Sequence, residues 1–125
     1  MDQAKLIELL MFLDKSNNNT TDTKSNMNNT FLNKKVIIRT YSAGVHFGEL
    51  IEKSGNEVIL KNARRLWYWE TLNNGISLSE VANVGVKQGS KICSPVGLIW
   101  LEAIEIIPCT NEAILNIEKQ DEYKA

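Results

Sequence analysis

Residues 63–70 read ARRLWYWE and place two of the chain's three arginines and three of its nine aromatic side chains within eight positions. An arginine guanidinium presents a rigid fork of donors that fits phosphate oxygens bidentately, and an indole face stacks on a nucleobase or on another cation. Arg64 or Arg65 with Trp67 and Trp69 therefore offers both halves of a nucleotide-sized binding site. A structural alternative stands beside it. The tryptophans would fill a core or a subunit interface, and the arginines would pair with acidic neighbours such as Glu70. If the stretch is extended, period-two alternation puts Arg65, Trp67 and Trp69 on one face and Arg64, Leu66 and Tyr68 on the other. The two arginines are then expected to differ in role.

A second candidate element is TYSAGVHFG (40–48). Its turn exposes backbone N–H groups around Ser42 to Gly44, with Tyr41 and His46 nearby, a composition able to hold an anionic group in a small nest. A hairpin turn of small residues has the same composition without any ligand, and His46 reads more readily as a sheet-face residue than as a catalyst. The residues expected to contact a ligand are thus Arg64, Arg65, Trp67, Trp69, Tyr41, Ser42 and His46.

Catalysis finds little material. The possible nucleophiles Cys93 and Cys109 have a single histidine to share and no local motif. Glu102 and Glu105, three apart, fall on opposite faces of a strand and form no facing carboxylate pair. The chain carries no P-loop and no GxGxxG. The cysteines lack CxxC spacing, which argues against a zinc site and for two reduced, partly buried thiols. The expectation is a binding protein that is not an enzyme and uses no metal or cofactor.

These residues need a scaffold. From Lys35 onward VIIRTY (36–41), VHFGELIEK (45–53) and EVILK (57–61) are short, rich in β-branched and aromatic residues, and separated by SAG (42–44) and SGN (54–56). They predict an antiparallel three-stranded meander. Gly48 inside the second strand marks a bulge or sharp bend, the device by which a small sheet curls toward a barrel. Residues 64–69 continue as a fourth extended segment. SLSE (77–80) has the form of a capping box and predicts a two-turn helix ending near 83–85. KQGSK (87–91) reads as a polar loop, and GLIWLEAIEIIP (97–108) as one or two more strands. TNEAILNIEKQ (110–120) predicts a short helix capped by Thr110 or Asn111. The fold class is mainly β with short helices: a small bent antiparallel sheet or an SH3-like or Sm-like barrel.

Upstream, Leu6, Ile7, Leu10 and Leu13 give residues 1–15 an amphipathic helical period. Residues 16–30 contain six Asn and four Thr with almost nothing to bury, so 16–34 is read as a flexible linker and 35–120 as the β-rich ligand-binding domain. Length agrees with one domain, since 125 residues lies within the commonest domain size of about 100–150 residues. No stretch approaches the roughly 20 apolar residues of a membrane span. Asp2 and Glu8 stand where an export signal would carry positive charge, which points to a cytoplasmic protein. The net charge of −1 hides an asymmetry: residues 34–69 hold seven Lys or Arg against three Glu, and residues 70–125 hold four against eight acidic residues. A basic strip of this kind attracts phosphates, while the acidic remainder discourages indiscriminate nucleic-acid binding.

VIIRTYSAGVHFGEL, NARRLWYWE, LSEVANVGV and EAIEIIPCT, in that order over about residues 35–115, resemble a family of small, mostly uncharacterised proteins of bacteriophages and prophages. The resemblance implies a phage origin and action in the host cytoplasm, and it carries no activity. In rhythm, residues 36–63 are similar to the first half of Sm-like proteins, with Gly48 at the bend. That likeness implies association through edge strands into a homo-oligomer. The favoured function is a phage binder that sequesters a nucleotide-derived signalling molecule of bacterial immunity. The alternatives are an Sm-like RNA- or DNA-binding protein, against which the pI of about 5.8 counts, and a protein-binding phage accessory that inhibits a host factor.

Overall fold

The computed structural model describes residues 28–124. The helix expected at 1–15 and most of the expected linker lie outside the described residues. Phe31 opens the compact unit that extends to the C-terminus. It contains β1 (Lys35–Thr40), β2 (Val45–Ser54), β3 (Glu57–Tyr68), α1 (Leu78–Val84), β4 (Lys91–Cys93), β5 (Val96–Pro108), α2 (Asn111–Glu118) and β6 (Glu122–Tyr123). The protein is mainly β, as its composition and alternation predict.

Strands β1, β2 and β3 form the expected meander, turning where Gly44 (φ 89°) and Gly55 (φ 59°) supply the positive φ the connections need. Strand β5 then pairs antiparallel with β3 through residues 96–102 and with β1 through 103–108. Each of β1, β2, β3 and β5 is therefore bonded to the next in a closed circuit, which leaves a small barrel-like sheet. Beyond it, β4 extends the sheet from the end of β3 and pairs in parallel with β6. The sheet is thus mixed, not purely antiparallel, and the end of the KQGSK segment belongs to a strand.

Two buried clusters lie on the two faces of this sheet. Val36, Ile38, Leu50, Val58, Leu60, Ala63, Leu101 and Ala103 come only from strands and fill the barrel interior, with Phe31 and Leu32 packed against them. Ile37, Val45, Phe47, Leu66 and Ile92 point the other way and are covered by Val81 and Ala82 of α1 and Ile117 of α2. The period-two alternation Val36, Ile37, Ile38 thus feeds both cores from one strand. Each fully buried aliphatic side chain contributes about 1.5–3 kcal/mol, so the helices are held by the sheet and not by their own propensity.

Local chemistry sets the ends of both helices. The Ser77 hydroxyl accepts from the Glu80 amide at 3.4 Å, and Thr110 accepts from Ala113 at 3.1 Å. The Glu80 carboxylate does not reach back to close a capping box; it accepts from the Asn73 side chain at 2.6 Å. Gly48 lies where the β2–β3 register shifts. A Cβ there would come within 3.1 Å of the Ala63 Cα and 3.2 Å of the Lys61 carbonyl, so the bend depends on backbone approaching backbone. Opposite it, Asn62 adopts φ 53° and β3 continues past it as one strand to Tyr68. The segment expected as a separate fourth strand is the second half of the third.

Candidate functional site

The three arginines have three different environments. Arg39 donates to Glu105 at 2.8 Å in an exposed pair across β1 and β5. Arg64 is buried, and its guanidinium donates to four backbone carbonyls: Cys93 at 2.7 Å, Ile117 at 2.9 Å, Ile92 at 3.1 Å and Asp121 at 3.3 Å. Those acceptors belong to β4, the end of α2 and the segment before β6. Arg64 therefore staples the C-terminal elements to β3: four of its five N–H donors are committed to carbonyls, and burial keeps the guanidinium from a phosphate. Burial lowers its pKa, but a guanidinium starts high enough to stay charged. Arg65 is exposed, and its side chain makes no hydrogen bond or ion pair among the described residues. Of the two arginines expected to divide binding from structure, Arg65 is the one open to a ligand.

The tryptophans divide in the same way, but not along the expected faces. Between β3 and β4 the register advances two residues on one strand against one on the other, a bulge centred on Trp67. The bulge reverses the alternation. Trp69 lands on the side of Leu66, packs on the helix-covered cluster and donates its indole N–H to the Ile76 carbonyl at 3.3 Å. Trp67 stays 57% exposed, and so does much of Tyr68. The predicted face of Arg65, Trp67 and Trp69 therefore contains only its first two members, because period two holds only where the strand is regular.

His46 pairs with Arg65 across β2 and β3 and is buried. Its Nε2 lies 2.8 Å from the Ala43 carbonyl. A carbonyl can only accept, so the proton is on Nε2. Burial, with a smaller contribution from the Arg65 charge, lowers its pKa below the usual imidazole range, against the opposing pull of that carbonyl. The neutral ring locks the β1–β2 turn. The Thr40 hydroxyl tightens the same turn by donating to the Gly44 carbonyl at 2.8 Å and accepting from the Ala43 amide at 2.8 Å. One amide of the expected anion nest is thereby spent inside the turn.

Two cavities flank this end of the barrel. Arg65 and His46 line one of about 210 Å³ with Ala63, Cys93, Ser94, Val96 and Ile99, so that a cation unpaired among the described residues stands over a largely apolar floor. Tyr41 and Ser42 line another of about 360 Å³, whose other walls are Trp100, Asn56 and Glu102. Arg65 and Tyr41 are thus not in one pocket; they are linked through His46, which faces the first across the ladder and bonds the turn that walls the second. A larger cavity of about 580 Å³ lies on the helix side near Ser90, Asn116 and Lys119, away from all these residues. The Asn116 amide in it is already committed to both backbone groups of Val86.

Trp100 escapes a motif-based reading. It sits singly in β5, and only its alternation with Val96 and Leu98, all three exposed, hints that this half-strand carries an outward apolar row. The cysteines are free, and burial pushes the Cys109 thiol up to about 12, which disfavours its thiolate. Ile104 sits at a bulge in β5, and both Glu102 and Glu105 are exposed, so the expectation of opposite faces fails there. Among the described residues no helix is long and apolar enough to cross a membrane.

Residues 33–117 match a domain of unknown function, DUF6948, and the chain belongs to that family. No curated protein and no solved structure gives a significant match to the chain.

Proposed function

We propose that this protein is a non-catalytic binder of a nucleotide-derived, phosphate-bearing small molecule, held at the barrel mouth by Arg65. The observation that carries the reading is the guanidinium itself. It is unpaired among the described residues, it stands beside a cavity of about 210 Å³, and it lies two residues before an exposed indole. A cation without a counter-charge beside an apolar floor favours an anion with an attached ring system, the phosphate on Arg65 and a base on Trp67. The cavity is smaller than the roughly 300–1,000 Å³ of pockets that enclose a whole ligand. A second copy of the chain completing the site accounts for the difference, and residues 96–99 of β5, with a ladder on β3 only and with Val96 and Leu98 exposed, supply an edge suited to that association. Taken with the likeness to phage proteins, the role is sequestration of a signalling nucleotide of bacterial immunity in the host cytoplasm.

Calorimetric titration with cyclic dinucleotides and ADP-ribose derivatives tests it. Arg65→Ala is expected to weaken binding by about 1.5–3 kcal/mol, roughly ten- to a hundredfold, and Trp67→Ala by about 1–3 kcal/mol through lost stacking. Binding that is absent for every phosphate-bearing probe, or indifferent to Arg65→Ala, overturns the reading. Sedimentation showing only monomer at micromolar concentration removes the shared site.

A further inference from the structure

The cavity walled by Tyr41 and Trp100 has the opposite chemistry to the one at Arg65, and it does not depend on what Arg65 binds. Its lining contains two aromatic rings, the Glu102 carboxylate and no lysine or arginine. Tyr41 stands at the tip of the β1–β2 turn, 91% exposed, so its ring packs on almost nothing in the folded chain. Trp100 is 55% exposed, and its indole N–H is fixed on the Glu57 carboxylate at 3.1 Å. Glu57 and Glu102 are direct partners across the β3–β5 ladder, and neither has an ion-pair partner among the described residues. Like charges placed opposite one another in a ladder destabilise it unless something neutralises them.

Aromatic faces are the negative pole of the ring quadrupole, and they attract organic cations most strongly where carboxylates reinforce the field. We propose that the Tyr41–Trp100 cleft binds an organic cation, an alkylated ammonium or an alkylguanidinium group, between the two rings, with Glu102 as its counter-charge. The cation offsets the repulsion between Glu57 and Glu102 and gives the exposed Tyr41 ring a partner. The volume of about 360 Å³ lies in the range of small-molecule sites. A phosphate is the wrong ligand here, because Glu102 repels it.

The indole N–H resonance of Trp100, assigned through Trp100→Phe in the full chain, reports the site, with those of Trp67 and Trp69 as internal references. Tetramethylammonium and methylguanidinium chlorides are titrated against sodium chloride at equal ionic strength. The expected result is a saturable shift of the Trp100 resonance with an organic cation and none with sodium. Glu102→Gln should weaken it about three- to tenfold, and Tyr41→Ala, a change at an exposed turn tip that leaves the core intact, should abolish it. Tighter binding of tetramethylammonium assigns the cleft to methylated amines, and tighter binding of methylguanidinium to arginine-like groups. No saturable shift, a shift matched by sodium, or one that survives both variants overturns the proposal.

Discussion

On the helix-covered side of β3, Arg64 gives its guanidinium to four carbonyls and Trp69 gives its indole N–H to Ile76. On the open side, one residue away, the Arg65 side chain has no partner among the described residues and Trp67 meets solvent. The two sides hold the same chemical types and differ in how far their polar groups are satisfied. A buried donor left unmade is costly, so the stable fold commits four of the five Arg64 donors to carbonyls. An exposed fork left unmade costs almost nothing in water and remains available. Residue type alone therefore indicates that a stretch is able to bind, and satisfaction of its donors decides which members do.

The sharpest way to break this comparison is Arg64→Ala. It strands four carbonyls in or near the core, and the expected loss is about 3–5 kcal/mol of folding stability, read by urea denaturation. Arg64→Lys should recover only part of it, because an ammonium cannot reproduce a planar fork spread over four acceptors. Full recovery with Lys would mean that charge, not the fork, holds the C-terminal elements.

Next comes the tryptophan pair. Trp69→Ala is expected to destabilise by about 2–3 kcal/mol, less than the ~3–5 kcal/mol of a fully buried indole because Trp69 is only partly covered. Trp67→Ala and Arg65→Ala should each stay within about 0.5 kcal/mol of the parent, as exposed substitutions do. Thermal melts of the three variants side by side check the ranking. A large stability loss for Trp67→Ala would erase the distinction between the two sides.

The smallest effect is a pH dependence at His46. Its folded pKa is depressed, so the unfolded chain binds the proton more readily and low pH favours unfolding. The stability that the neutral ring contributes is present above the ordinary imidazole value of about 6.5 and is lost as pH falls through the lower folded pKa. Removing the Arg65 charge relieves part of the depression. NMR titration of His46 should therefore give a higher pKa in Arg65→Ala than in the parent, and also when an anion occupies Arg65. An unchanged value in Arg65→Ala would show that the two groups are not electrostatically coupled.

Several features were readable before any coordinates. The meander over β1–β3 follows from β-branched runs and glycine-bearing turns, and the bend at Gly48 from a glycine in an otherwise apolar strand. The caps Ser77 and Thr110 follow from local hydrogen-bonding chemistry, and the two arginines were expected to differ from alternation alone. All of these depend on residues within a few positions of one another, where backbone sterics and side-chain reach set the outcome. Tertiary structure decided the rest. The bulge at Trp67, where β3 pairs with β4 beyond the end of its ladder on β2 at Leu66, moved Trp69 to the core side. The four carbonyls around Arg64 come from residues 28 to 57 positions away. Strand β5 bridges β3 and β1, which brings Trp100 and Glu102 to the turn that carries Tyr41. Sequence patterns encode periodicity and local reach. Which polar groups end up satisfied, and which rings line one cavity, depends on long-range pairing that no local window contains.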